Sequence, residues 1–300
     1  MNFICPRCQR GLIQITPNQL RCEKDALSFN QVDGIWRFLP PDRESYYSRF
    51  IADYEAVRRF EERGSLDSSY YRALPFYDLS GKFSAHWKIR ATSFRALESN
   101  LTSSSYQKVL DMGAGNGWLS NRLSELGHHV MAVDLLVNPQ DGLAAWRNYE
   151  NRFTPIQSEF THLPVADKSI SIVIFNASFH YSENYEATLF EALRVLFQDG
   201  KIIIMDSPVY QDAKSGEQMV AERRSAFLSH YGFASDSIKS EDYLTYQRMD
   251  DLGEKLGIHW RHLRPFYGVR WAIRPILARL RGRREPAEFG LWIGTRRNQV

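Results

Sequence analysis

At 300 residues the chain can hold one large domain and a small one, and its 43% hydrophobic content supports a packed core. It has no 18-residue apolar run to cross a membrane, no apolar leader at Met1–Arg7, and only three cysteines, too few for a disulfide framework. A reducing cytoplasm is therefore the expected location. The net charge of +3 hides an asymmetry: residues 261–297 carry ten arginines against two glutamates, with no lysine or aspartate. That tail fits either an anionic partner or a solvated basic surface.

Residues 1–40 read as a compact unit. Cys5-Pro-Arg-Cys8 is followed by Cys22-Glu-Lys-Asp25, two knuckles of the spacing that builds a zinc ribbon, with Asp25 in the fourth ligand position. The first histidine is His86, so none nearby can replace the missing cysteine. Two readings stay open: one structural zinc on Cys5, Cys8, Cys22 and Asp25, or a degenerate ribbon that folds without metal. Pro40-Pro41 marks a linker into residues 41–100, a helical cap. Helices are expected from Tyr46 to Arg63, closed by Gly64, and from His86 to Leu97. Most of their aromatics are expected to pack on the sheet, with a substrate roof as the alternative.

Residues 101–300 carry the pattern of an α/β domain. Val130–Val133 and Ile170–Phe175 are continuous apolar runs, as in strands buried on both faces. Helical patterns at 118–126, 141–150, 184–197 and 242–256 alternate with the strands. Ser215-Gly-Glu-Gln218 reads as a capping box opening a helix that runs to Gly232. Ile258–Tyr267 and Phe289–Arg296 read as the last two strands. Between them, Val269, Ile273, Ile276, Leu277 and Leu280 fall on one helical face beside arginines. Either a structural flap or peripheral membrane contact through 268–284 fits that pattern.

The most informative stretch is Val109-Leu-Asp-Met-Gly-Ala-Gly-Asn-Gly-Trp118. A β-type run ends at Asp111, and Gly113, Gly115 and Gly117 follow at a spacing of two, opening a helix. A strand, a glycine loop and a helix form the nucleotide site of a doubly wound fold. A dinucleotide fingerprint needs a small residue where Trp118 stands, and Asp111 would repel a pyrophosphate. A cationic ligand suits it better.

Here the chain resembles the class I S-adenosylmethionine-dependent methyltransferases, Asp111–Gly117 matching their first motif without a gap. His129–Asp134 resembles their second strand, Pro155–Pro164 the third strand and its loop, Ser169–Asn176 the fourth, and Glu191–Asp206 the helix and fifth strand. The resemblance implies a Rossmann-like doubly wound sheet with an antiparallel last strand, joined to the small N-terminal β-ribbon and the helical cap. It implies S-adenosylmethionine held by Asp111, Gly113, Ala114, Gly115 and Gly117, with Asp134 on the ribose and Leu135 beside it. Glu159 and Phe160 would meet the adenine, and Asn176 would end the fourth strand at the crevice. His180, four residues on, is the candidate base, because histidine titrates near neutrality. The N-terminal unit resembles zinc ribbons fused ahead of methyltransferase domains, including ribosomal RNA guanine methyltransferases. Three functions follow: methylation of a small molecule, lipid-like or glycan-linked; methylation of RNA, using the ribbon and the arginine-rich tail; or a non-catalytic cofactor-binding scaffold.

Overall fold

The computed structural model describes residues 3–297 apart from 66, 102–105, 152 and 235. The N-terminal unit is an antiparallel meander of β1 (Ile13–Thr16), β2 (Gln19–Cys22), β3 (Leu27–Val32) and β4 (Ile35–Arg37). Three helices follow: α1 (Pro41–Phe60), α2 (Ser68–Ala73) and α3 (Ser84–Asn100). Pro41 opens α1, where its missing N–H is no loss. The chain escapes α1 through Gly64 at φ +84°; an added Cβ there would meet the backbone oxygen of Gln140 at 2.7 Å. The short α2 was not expected from the sequence; Asp67 caps it by accepting from the Ser69 N–H.

The α/β part runs β5 (Lys108–Met112), α4 (Trp118–Glu125), β6 (His129–Asp134), β7 (Thr154–Gln157), β8 (Ile170–Asn176), α5 (Tyr185–Val195) and β9 (Leu196–Met205). It continues with β10 (Val209–Tyr210), α6 (Ala213–Tyr231), β11 (Leu244–Thr245), α7 (Tyr246–Leu256), β12 (Ile258–Leu263), α8 (Val269–Ala272), α9 (Arg274–Leu280) and β13 (Leu291–Arg296). Strands β7, β6, β5, β8 and β9 are parallel neighbours, and β13 inserts antiparallel between β9 and β12. This is the expected Rossmann-like sheet with an antiparallel last strand. Alternation along each strand divides the core. Leu110, Met112, Val173 and Phe175 share one cluster with Leu189 of α5 and Met249 of α7. Val109, Ile172 and Ile174 share the other with Phe94 of α3 and Leu123 of α4.

Two local expectations change. The span 141–150 is not an α-helix but a 3-10 turn at Leu143–Asn148, because the chain folds tightly back on the end of β6: a Cβ at Gly142 would sit 2.7 Å from the Asn138 backbone nitrogen. Helix α6 starts earlier than the Ser215 capping box; Asp212 is its cap and accepts from the Lys214 N–H. The link 268–288 forms two short helices, with Pro275 in the first turn of α9. The ribbon also extends the main sheet: Trp36 and Arg37 of β4 pair in parallel with Ile156 and Gln157 of β7, giving eleven strands in one sheet. Cys5, Cys22, Phe29 and Phe38 lie in the same apolar cluster as Ile156, Leu163 and Val165.

Candidate active site

A cavity of about 190 Å³ opens at the C-terminal ends of β5, β6 and β8, where open α/β sheets bind ligands. One water needs roughly 10–15 Å³, so the space suits an organic ligand. Its floor is the glycine loop: Gly113, Ala114 and Gly115 line it. Gly113 and Gly115 adopt φ +74° and +55°, backbone that favours glycine. A Cβ at Gly113 would meet the Ser178 Cβ at 2.3 Å, whereas at Gly115 the nearest atom is 3.6 Å away. The loop is thus packed behind and open in front. Gly117, at φ +78°, packs on Phe153 and starts α4 instead of facing the cavity.

Asp134 ends β6 beside the loop. Its Oδ2 accepts from Gly115 N–H at 2.7 Å and its Oδ1 from Leu136 N–H at 2.8 Å. Burial pushes its carboxyl up to about 6 against the pull of these bonds. Leu135 and Asn176 also line the cavity, and the buried Asn176 Oδ1 has no partner among the described residues. Ala177, at φ +53°, turns the chain off β8 at this rim.

Asp111 is elsewhere. On the period-two pleat it shares a face with Val109 and points under α4, fully buried, where Ser120 Oγ donates to its Oδ2 at 2.7 Å. Its Oδ1 has no partner, and burial lifts the carboxyl to about 7. Asp111 supports the loop from behind.

Glu159 and Phe160 both line the cavity, but Glu159 is heavily engaged. Arg43 Nε donates to Oε1 at 3.0 Å and Arg43 Nη2 to Oε2 at 2.6 Å. His162 Nδ1 lies 3.2 Å from Oε1, and the Tyr47 hydroxyl sits between Glu159 and Glu183 at 3.0 and 2.9 Å. Burial alone would raise the Glu159 carboxyl; the His162 and Arg43 contacts bring it down to about 2. The network latches α1 to the end of β7.

His180 does not line the cavity. It sits mid-turn in a three-residue 3-10 segment, Phe179–Tyr181, whose tight winding sends Phe179 to the core and Tyr181 to the cavity. His180 Nδ1 instead faces Ser207 Oγ at 3.3 Å, and burial, aided by Arg223, holds the ring neutral with its titration down at about 3. It can accept a hydrogen bond but is poorly placed as a base.

The rest of the wall comes from the cap, where the sequence offered a substrate roof only as the alternative to packing on the sheet. Tyr47, Phe50, Tyr54 and Arg58, spaced along one face of α1, form a roof. His86, Trp87 and Arg90 of α3 form the far side, with Arg63 beside them. The expectation that most cap aromatics pack on the sheet holds for Tyr70, Tyr71 and Phe94, but Tyr47, Phe50 and Tyr54 face the cavity. The signal that could have found the roof is the 47, 50, 54, 58 spacing.

Of the three cysteines, Cys5 Sγ lies 3.2 Å from Asp25 Oδ2, Cys8 Sγ 3.5 Å from Cys22 Sγ, and Cys22 Sγ 3.4 Å from Asp25 Oδ2. All four ligand atoms lie within 4.8 Å of one another. In the arginine-rich tail, half of the side chains are tied down: Arg261 to Asn100, Arg264 to Tyr246, Arg274 to the Ala287 carbonyl, Arg284 to Glu222 and Arg296 to the Leu193 carbonyl. No helix among the described residues is long and apolar enough to cross a membrane.

Residues 110–204 match the methyltransferase domain family. The chain is 22% identical over 169 residues to an uncharacterized methyltransferase of Staphylococcus carnosus, spanning 56% of this chain and 77% of that protein. It is 29% identical over 124 residues to a demethylmenaquinone methyltransferase of Tropheryma whipplei, spanning 41% of this chain and about half (48%) of that relative. Among solved structures, the YcgJ protein of Bacillus subtilis shares its fold with a TM-score of 0.52 at 13% identity, over 70% of this chain and 99% of that one. A structure of a Haloferax volcanii methyltransferase complex with the Trm112 activator aligns with a TM-score of 0.53 at 14% identity, over 82% of this chain and 97% of that one. The domain match and the names of these relatives indicate a methyltransferase with a Rossmann-like fold.

Proposed function

We propose that the chain transfers a methyl group from S-adenosylmethionine to a small organic acceptor held under α1 and α3. The observation that carries this reading is the cavity itself: a glycine loop open in front, an acidic strand end beside it and an orphaned Asn176 oxygen, under an aromatic roof. The residues fit the cofactor. Gly113, Ala114 and Gly115 leave room for close backbone approach, Asp134 and Leu135 would take the ribose, Phe160 would border the adenine, and Asn176 would accept a donor from the methionine part. Asp111 would stabilise that cationic part at one remove. Glu159, already saturated by Arg43, Tyr47 and His162, would hold the roof down in place of binding the adenine amino group.

Bound there, S-adenosylmethionine would supply an electrophilic methyl group whose leaving sulfur needs no proton. The protein's task is then alignment and exclusion of water.

Two further assignments belong to this reading. Cys5, Cys8, Cys22 and Asp25 would hold one structural zinc, since the four donors already converge. The α8–α9 link would contact an anionic membrane, supported by its exposed apolar residues and its free arginines.

Titration calorimetry with S-adenosylhomocysteine tests the cofactor. Each charge-assisted hydrogen bond from Asp134 is worth roughly 1.5–3 kcal/mol, so Asp134→Ala should weaken binding by about tenfold or more. An unchanged affinity would remove Asp134 from the site, and a wild type that binds nothing would sink the reading. Isotope transfer from labelled cofactor into cell-extract molecules separates an enzyme from a scaffold.

A further inference from the structure

The cavity is chemically mixed. Besides the acidic strand end at Asp134, its wall carries a basic group of Arg58, Arg63, His86 and Arg90. These four lie close enough to act on one another: His86 feels Arg63, Arg90 and Arg58, and Arg90 feels Arg58 and Arg63. Two of the arginines have internal partners. Arg58 Nε lies 3.0 Å from Asp141 Oδ2, and Arg63 Nε lies 2.5 Å from Glu61 Oε2.

Arg90 has no such partner. Its guanidinium lies 5.1 Å from the Trp87 ring centroid, and among the described residues it makes no hydrogen bond or ion pair. The acid that acts on it from a distance is Asp206, which is outside the cavity wall and is itself held by Ser93 Oγ at 2.5 Å. A guanidinium offers five donors in a planar fork. On the cavity wall beside two other cations, such an unpartnered fork is suited to an anionic ligand. Phe50, Tyr54, Trp87 and Tyr181 line the same cavity with their flat rings.

Resting on the methyltransferase reading above, we propose that the acceptor is an organic oxyanion: a carboxylate or phosphate held by the Arg90 fork in the field of Arg58 and Arg63, on an apolar body that lies among Phe50, Tyr54 and Tyr181. The fork selects against neutral analogues, because these would leave Arg90 unpaired.

The test uses the full chain saturated with S-adenosylhomocysteine and three probes: 4-hydroxybenzoate, phenyl phosphate and the neutral 4-hydroxybenzyl alcohol. The expected result is binding of at least one anionic probe about tenfold or more tighter than the neutral one, weakening with salt. Whichever anion binds better identifies the head group. Arg90→Gln should abolish that preference while S-adenosylhomocysteine affinity stays within about twofold, which shows that the fold and the cofactor half are intact. Arg90→Lys, keeping charge but not the fork, should fall between the two. Equal binding of charged and neutral probes, no anion binding to the loaded protein, or an unchanged preference in Arg90→Gln overturns the proposal. Failure of S-adenosylhomocysteine itself to bind would instead defeat the underlying methyltransferase reading.

Discussion

Asp206 shows how a buried carboxyl ties pH to stability. It stands at φ +55° just past the end of β9, its Oδ1 accepting from Ser93, its Oδ2 buried with no hydrogen-bond partner among the described residues, and the Tyr267 hydroxyl near enough to act on the carboxyl. Burial lifts it to about 6, as it lifts Asp134 to about 6 and Asp111 to about 7. In the unfolded chain an aspartate gives up its proton near 3.9. Between roughly pH 4 and 6 the native state therefore binds more protons, so rising pH lowers stability across that window. Glu159 behaves oppositely: held at about 2, it stabilises the fold above its unfolded value near 4.3 and loses that contribution as pH falls toward 2. Asp206→Asn keeps the side-chain shape and tolerates the left-handed backbone. Denaturant titrations at pH 4.5 and 7.5 should show the wild type losing about 2 kcal/mol more than the variant over that interval. Parallel losses would mean that Asp206 titrates normally. The same scale shows why site residues were unevenly legible. Gly113, Gly115 and Asp134 declare themselves because the loop and strand end are local. The direction of Asp111 needed the pleat, and that of His180 needed the 3-10 turn at Phe179–Tyr181. Arg90 gave no sign, because its isolation depends on what three other elements fail to offer it.

At the scale of elements, α8 and α9 are two short helices, with Pro275 in the first turn of the second, where its missing N–H is no loss. Their inner contact is a residue outside the predicted apolar face. Trp271 packs between Tyr267 and Phe289, with Arg274 stacked over its ring. The predicted apolar face is the one left outside: Val269 is 67% exposed, Ile276 62% and Leu280 78%. Arg270, Arg279, Arg281 and Arg283 lie along the same link without side-chain partners among the described residues. Apolar groups at the surface beside free cations suit the interface of an anionic bilayer. Vesicles rich in phosphatidylserine should co-sediment the protein at low salt, phosphatidylcholine vesicles should not, and salt should release it. Ile276→Glu with Leu280→Glu should abolish the binding and spare S-adenosylhomocysteine affinity. Indifference to anionic vesicles at low salt would leave the link a flap anchored by Trp271. The helices of the cap were legible by period, but the roof was not. Whether Tyr47, Phe50 and Tyr54 face a sheet or a cavity is decided by the Arg43–Glu159 latch, which joins residues 116 apart.

On the scale of the whole molecule, the ribbon and the α/β domain look separable in sequence and are continuous in structure. The reason is the β4–β7 pairing, which covers a sheet edge that would otherwise be open. Such a parallel contact between distant segments leaves no periodic trace along the chain. Its consequence is that a metal at the N-terminus would act on the entire fold. Two thiolates bound to zinc at about 2.3 Å in a tetrahedron stand roughly 3.8 Å apart. The Cys8–Cys22 separation of 3.5 Å and the Cys–Asp25 separations of 3.2 and 3.4 Å are close to that frame. Cys5 and Cys22 are both buried in the same apolar cluster as Ile156, Leu163 and Val165, so loosening the knuckles disturbs the main core. Protein purified without chelator should therefore carry about one zinc per chain by elemental analysis. Removing it should lower the temperature of a single cooperative transition; a separate early melting of the ribbon would show that the shared sheet does not couple them. Asp25→Cys, supplying a softer fourth donor, should tighten zinc and raise that transition. A metal-free protein that melts at the same temperature with and without added zinc would identify the unit as a ribbon that has kept its packing and lost its ion.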